Sequence, residues 1–482
     1  MEAKTGAVLE IFEEISRVPR CSKNESAIGS WVIRRAEDRG FQVKQDSAGN
    51  IVVRAPATNG YEGRPSVVLQ GHLDMVCQKT PDSNHDFTKD PIRLVYDGDW
   101  LTADRTTLGA DNGIGIALGL ALATDDHLKH PPLELLFTVD EETGLTGANL
   151  LEPGFIEGRI LLNLDSESEG VFIVGCAGGQ HTQVTLPLSF LPLPENYDVW
   201  KLTAHGMRGG HSGVDIHKFR ANANKILARV LDAARRRAEI RILALKGGSA
   251  HNAIARDAEA TFVCGPSQSS ALKDAVKVFE EAVQDEYASI EKEMALTLAE
   301  EGIDEKTGSF TKECTDTAID LMLAIPHGVS EMSAKVEDHV ETSNNLAIVD
   351  TKGDVLHILS SQRSSVISRL SAITAQIEAA AALAGARVEM GGGYPAWQPD
   401  MNSPLLKRCK DVYQSLFDKE PVVEVIHAGL ECGIISSKYE GLDAISVGPT
   451  VENPHSPDER LYIPSVARVW DFLVELLKSY GA

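Results

Sequence analysis

Residues 50–164 contain four short apolar runs, Asn50–Arg54, Val67–Gln70, Leu133–Thr138 and Ile160–Leu164. Runs of this length bounded by turn residues suit buried strands. The stretches around them follow another period. Val8, Leu9, Phe12, Ile15 and Val18 recur at helical spacing, and helical patterns occupy roughly 5–17 and 25–40. "NGIGIALGLALATDD" (Asn112–Asp126) reads as a buried, glycine-tolerant helix. Strands that alternate with helices predict an α/β domain whose mixed, largely parallel sheet is flanked by helices.

Two glycine-rich breaks interrupt this texture. After "VGCAGGQ" (Val174–Gln180) come alternating strands and long polar helices, up to about Gly391. One helix is marked by Val276, Phe279, Val283, Tyr287, Ile290 and Met294, with acidic residues on its other faces. After "GGGYPAWQP" (Gly391–Pro399) the first style returns, and "GLDAISVGPTVENPHSPDE" (Gly441–Glu459) reads as strand, then turn. A chain of 482 residues exceeds one ordinary core. The predicted organisation is one domain in two pieces, 1–178 and 395–482, with a second domain, 179–394, inserted.

Lys and Arg number 46 against 70 Asp and Glu, for a net charge of −24. That balance disfavours nucleic acid or an anionic membrane as partner and fits a site that holds cations. The opening "MEAKTGAVLEIFEEISRVPR" has no basic n-region and no continuous apolar h-region, so no signal peptide is expected. No apolar run reaches transmembrane length. Cys21, Cys77, Cys176, Cys264, Cys314, Cys409 and Cys432 form an odd, scattered set with no C-x-x-C. They predict reduced thiols in a cytoplasm, not a disulfide framework or a zinc ribbon.

The chemistry sits where apolar strands stop. His72 and Asp74 follow Val67–Gln70 one residue apart, on one face of an extended segment. Asp140, Glu141 and Glu142 follow Leu135–Val139, Asp165 follows Ile160–Leu164, and His455 lies beyond Ala444–Val447. Asp111 stands just before a helix. Taken singly, each has an ordinary structural role: a helix N-cap, a solvated loop, a turn aspartate, a surface histidine. Jointly they converge on the carboxyl ends of the strands, where open α/β sheets bind ligands. Carboxylates gathered there repel one another unless a cation neutralises them. His72, Asp111, Glu142, Asp165 and His455 make two histidines and three carboxylates, enough for two divalent ions sharing one carboxylate. That mixture favours zinc, with manganese or cobalt as alternatives, over calcium or magnesium. Asp74 then orients the His72 ring, and Glu141 is the general base.

"GHLDMV", "GADNGIG", "DEETGLTGA", "LDSE", "GGHSG", "IHAGLECG" and "NPHSPDE", in this order along nearly the whole chain, resemble the bacterial aminoacyl-histidine dipeptidases, or peptidase D. These are a branch of the di-metal exopeptidases that include carnosinases and aminoacylases. The resemblance implies His72, Asp111 and Asp165 around one ion and Asp111, Glu142 and His455 around the other. It also implies a cis Asp111–Asn112 peptide. Asn112 stands where many wider relatives carry a second aspartate.

The resemblance makes 1–178 and 395–482 the catalytic domain and 179–394 an α+β lid of two ferredoxin-like units. The first unit, about 181–270, carries His211 and Asn252, and the second, about 325–391, carries Arg363. Between them lies an acidic helical segment. By the same analogy His211, in "RGGHSGVDIHK", stabilises the tetrahedral oxyanion. Arg363, placed after a strand Val355–Leu359, grips the substrate carboxylate, and Asn252 assists. Glu431, in "AGLECG", either receives a substrate amine or is a buried structural carboxylate.

The expected activity is a cytosolic metallo-dipeptidase acting on unblocked dipeptides, Xaa-His such as carnosine among them. A metal-bridged hydroxide attacks and Glu141 handles the proton. The alternatives are an N-acyl-amino-acid deacylase on the same machinery, and a metal- or peptide-binding protein without catalysis. The expected partner is a small peptide substrate, with no nucleic acid and no membrane, and any homodimer is not needed for the chemistry.

Overall fold

The computed structural model describes residues 3–302, 308–334, 336 and 338–481. The chain divides into two compact units. The first comprises 1–176, 397–425 and 430–482, and the second comprises 177–396 and 426–429. The short segment 426–429, expected with the first domain, packs with the second.

The first unit is built on an eight-stranded sheet. Its order is Gln42–Gln45, Ile51–Ala55, Leu133–Thr138, Val67–His72, Ile160–Asn163, Asp443–Ser446, Val171–Cys176, Val422–Ile426. The four central strands, Leu133–Thr138 to Asp443–Ser446, pair in parallel. The flanking pairings resolved around them are antiparallel, so the sheet is mixed. Val67–His72 and Leu133–Thr138 are buried at every position, as interior parallel strands require. The helix Ala110–Thr124 lies close to this layer because it carries glycines where contact is tightest. A Cβ on Gly115 would sit 2.5 Å from the Leu164 carbonyl, and one on Gly113 would sit 2.9 Å from the Phe12 ring.

A smaller four-stranded sheet brings distant segments together. Val451–Glu452 pairs with Arg460–Tyr462, which pairs with Trp100–Ala103 and through it with Leu94–Asp97. The Glu452–Arg460 pairing closes the loop that carries His455. That loop is tightly turned, with Asn453 and His455 both at positive φ.

The cysteine expectation is corrected here. Cys21 and Cys77 are joined in a disulfide with their Cα atoms 5.7 Å apart. The cause is local: Cys21 bridges Met75 in parallel, and the Met75 N–H donates to the Arg20 carbonyl. This draws two segments together that composition and spacing do not relate. Cys264, Cys314, Cys409 and Cys432 carry no disulfide.

The second unit holds an antiparallel nine-stranded sheet. Ala295–Glu300, Asp198–His205, Ala258–Cys264 and Ile240–Gly247 form one half. Val340–Lys352, Val355–Ser364, Gly178–Pro187 and Arg387–Tyr394 form the other, with Gly328–Met332 added on Val340–Lys352. The halves join where Lys246 and Gly247 pair with Asp350 and Val349. Two α+β halves were expected, but the first strand of the insert belongs to the second half. Arg363 also lies inside its strand, which runs on to Ser364. The helix read through Met294 ends at Glu286. Among the described residues no helix is long and apolar enough to cross a membrane.

Candidate metal centre

Each candidate ligand of the first unit enters from a different element. His72 ends the strand Val67–His72, Asp165 follows Ile160–Asn163, Asp111 lies in the first turn of Ala110–Thr124, Glu142 is on the short turn Glu141–Gly144, and His455 is on the closing loop. His72 Nε2 is 2.9 Å from Asp111 Oδ1 and 3.4 Å from Asp165 Oδ1. His455 Nε2 is 3.0 Å from Asp111 Oδ2 and 3.1 Å from Glu142 Oε2. The two oxygens of Asp111 thus face different histidines. Among the described residues, groups with ligand atoms within 4.8 Å of one another include His72, Asp111, Asp165 and Asp111, Glu142, His455, the two that share Asp111, and also His72, Glu141, Glu142 and Glu25, Asp74, Asp140. The Asp111–Asn112 peptide is cis. The Asn112 amide donates to the Leu164 carbonyl at 2.7 Å, so this position serves as a tie between the helix start and the segment carrying Asp165.

Asp74 is fully buried. Its Oδ1 lies 3.2 Å from His72 Nδ1 and accepts the Glu141 N–H at 3.1 Å. Its Oδ2 accepts the Ser22 hydroxyl at 2.8 Å and the Glu142 N–H at 3.2 Å. One carboxylate therefore aims the imidazole and anchors the backbone of both following glutamates. Burial opposes its charge, but His72 and these donors hold its pKa down at about 2. Ser22 and Arg20 escaped the sequence reading. Arg20 donates to the carbonyls of Leu73 at 3.1 Å and Asp74 at 2.7 Å. Their only signal is the polar "PRCS" after an apolar helix, which is weak by itself.

The electrostatics are those of too many carboxylates in one place. Burial pushes Glu141 well above the usual carboxyl range, and Asp165, Glu142 and Glu431 add to it. Burial lifts Asp165 to about 6 against the pull of His72, and lifts Glu167 to about 8 with Asp111 and Asp165 contributing. Hydrogen bonds to Asp111 and Glu142 push His455 up to about 11. Glu142 Oε1 is buried with no hydrogen-bond partner. Crowded carboxylates, two imidazoles and an orphaned buried oxygen together fit divalent cations.

Glu431 is wholly buried, and its Oε2 accepts from Gln70 at 2.6 Å and Thr138 at 2.7 Å. Its Oε1 has no partner.

The remaining candidates belong to the second unit. His211 Nδ1 accepts the N–H groups of Val214 at 3.1 Å and Gly213 at 3.3 Å. A neutral ring so held carries its hydrogen on Nε2, as a donor. The Asn252 carbonyl accepts the Ser212 N–H at 2.8 Å, while the Asn252 residue itself is exposed on a turn. Arg363 is 6% exposed, donates through Nη1 to the Tyr394 hydroxyl at 2.6 Å, and has its Nε unpartnered.

Known proteins match this chain over nearly its whole length. It is 41% identical to the cytosol non-specific dipeptidase of Escherichia coli over 98% of this chain and 97% of that one. The crystal structure of aminoacylhistidine dipeptidase from Vibrio alginolyticus superposes with a TM-score of 0.88 at 40% identity, covering 98% of this chain and 96% of that one. Aminopeptidase PepT from Bacillus cereus shares the fold at a TM-score of 0.59 and 15% identity, over 99% of both chains. Residues 202–291 match the family model described as a peptidase dimerisation domain. With the sheet, the inserted unit and these matches in hand, the chain belongs to the aminoacyl-histidine dipeptidase branch of the M20 metallopeptidases.

Proposed function

We propose that this chain is a cytosolic dipeptidase that hydrolyses unblocked dipeptides, Xaa-His such as carnosine among them. The observation that carries the reading is Asp111, whose two oxygens face His72 at 2.9 Å and His455 at 3.0 Å. Among relatives of high identity, the Escherichia coli protein is named a cytosol non-specific dipeptidase and the Vibrio alginolyticus protein an aminoacylhistidine dipeptidase. Their names support both the substrate class and the cytosolic location.

His72, Asp111 and Asp165 would hold one divalent ion, and Asp111, Glu142 and His455 the other, with zinc the first candidate and manganese or cobalt the alternatives. When bound, such ions polarise a peptide carbonyl and make water acidic enough to attack near neutral pH. Glu141 would take a proton from the attacking water and return it to the leaving amine. Asp74 keeps the His72 ring in one orientation. His211 offers its Nε2–H to the oxyanion. Arg363 grips the substrate carboxylate with Asn252 assisting, and Glu431 is either the acceptor of the substrate amine or a structural carboxylate beneath the centre.

Initial rates on a dipeptide panel, with carnosine and acetylated analogues and with zinc, manganese and cobalt each restored to stripped protein, test the reading. Turnover of free dipeptides with rejection of the acetylated forms is expected. Preference for the acetylated forms would replace the dipeptidase by the deacylase. A metal-loaded protein inert on the whole panel would leave a binding protein.

A further inference from the structure

We propose that Glu459 is a positioning residue for the metal centre: it fixes the turn that carries Asp111 and ties it to the loop that carries His455. The proposal rests on the reading of Asp111 and His455 as metal ligands. Glu459 lies four residues after His455 on the same loop and is 1% exposed. Its carboxylate accepts four consecutive backbone N–H groups. Oε2 takes Leu108 at 2.8 Å and Gly109 at 2.9 Å, and Oε1 takes Ala110 at 2.8 Å and Asp111 at 3.3 Å. A carboxylate removed from water needs such compensation, and bonds to a charged acceptor are stronger than neutral ones.

Arg20 grips the same turn by its carbonyl. Its Nη2 donates to the Gly109 oxygen, while its Nη1 donates to the carbonyls of Leu73 and Asp74, the two residues that directly follow His72. Gly109 leaves room for this: its φ is +72°, and a Cβ there would stand 2.6 Å from Arg20 Nη2. An anion on the amides and a cation on the carbonyl thus lock the turn. They connect three ligand-bearing segments that are 39 residues apart for His72 and Asp111, and 344 apart for Asp111 and His455. The pairing of oxygens also explains why the residue is an acid. A glutamine has one acceptor oxygen, so its NH₂ would face one of the two N–H pairs, donor against donor.

The test is Glu459→Gln in the full chain, stripped with chelator and titrated with Co²⁺ in competition with a chromophoric chelator, alongside the visible Co²⁺ spectrum. We expect a folded protein whose Co²⁺ affinity falls about 10–100-fold, the range for groups that hold ligands in place. Its spectrum should change, and kcat should fall more than KM rises. Asp458→Asn, on the exposed neighbour, should bind as the wild type does. Wild-type affinity and spectrum in Glu459→Gln would overturn the proposal. Asp111→Ala separates the two levels. If it too keeps wild-type Co²⁺ affinity, the metal-centre reading itself fails; if it loses metal while Glu459→Gln does not, only the positioning role fails. Should Glu459→Gln not fold, hydrogen exchange on the stripped wild-type chain decides. Amides 108–111 protected before metal is added support the proposal, and amides that become protected only with Co²⁺ overturn it.

Discussion

Glu141 and Glu142 are neighbours to which the proposed function gives different tasks, and exchanging one carboxylate oxygen for NH₂ separates them. Both backbone N–H groups are held by Asp74, while the side chain of Glu142 meets His455 and that of Glu141 groups with His72 and Glu142. Glu141→Gln is expected to keep its metals, measured by atomic absorption, and to lose about 10²–10⁴ in kcat. Near-normal turnover with metals bound would reject it as the base. Glu431 makes a second prediction. Burial, against the pull of His72, lifts its pKa to about 7, whereas an unfolded glutamate titrates near about 4.3. Between those values the folded chain keeps a proton that the unfolded chain has lost. The associated stability is full below about pH 4.3, declines as pH rises, and is gone above about 7. Glu431→Gln cannot ionise, so its advantage over the wild type should grow across this window, on the order of 3–4 kcal/mol. Denaturant midpoints of stripped proteins at about pH 4.5 and about pH 7.5 measure it. Parallel pH profiles for the two proteins would show that Glu431 does not titrate there.

At the scale of elements, the strands of the first unit were legible because full burial writes itself as continuous apolar sequence. Val67–Gln70 and Leu133–Thr138 are strands, and His72 and Glu142 stand at or just past their ends. What the sequence hid are contacts to backbone groups, which leave no periodic trace. Arg20 reaches carbonyls 53 and 54 residues away, and Glu459 reaches amides about 350 residues away. The same holds for the Cys21–Cys77 bond across 56 residues, which contradicted the expectation of reduced thiols. A cross-link of that span is worth about 4 kcal/mol in the chain-entropy view. Wild-type protein should therefore melt lower with a phosphine reductant, and Cys21→Ser should melt at that lower temperature with or without it. If alkylation of the untreated protein labels Cys21 and Cys77 along with the other five cysteines, the bond is not formed under those conditions. Cytosolic thiol pools reduce most such bonds, so the measurement belongs on protein taken directly from cells as well as on purified chain.

At the scale of the whole molecule, the second unit raises the question of how many chains one centre needs. The dimerisation model matches only 202–291, within one half of the nine-stranded sheet. The other half, from Val340–Lys352 onward, pairs with the first through Lys246–Asp350 and Gly247–Val349. This junction of the two halves is made within one chain. An insert of two consecutive units was the expectation carried by the resemblance. The crossing of Gly178–Pro187 into the second half was not foreseen, because strand partners far apart in sequence are set by packing and not by local pattern. The consequence is a prediction about His211: it serves the centre of its own chain, and any homodimer is unnecessary for chemistry. Mixing inactive His211→Ala subunits with inactive Glu141→Gln subunits, under conditions that exchange subunits, tests this directly. An internally completed site leaves the hybrids inactive, because every chain carries one defect. A histidine supplied across an interface lets hybrids combine an intact Glu141 with an intact His211, and activity returns. Native mass spectrometry must show that hybrids formed. Hybrids that form and stay inactive support the single-chain site, and recovery of a substantial fraction of wild-type activity would refute it.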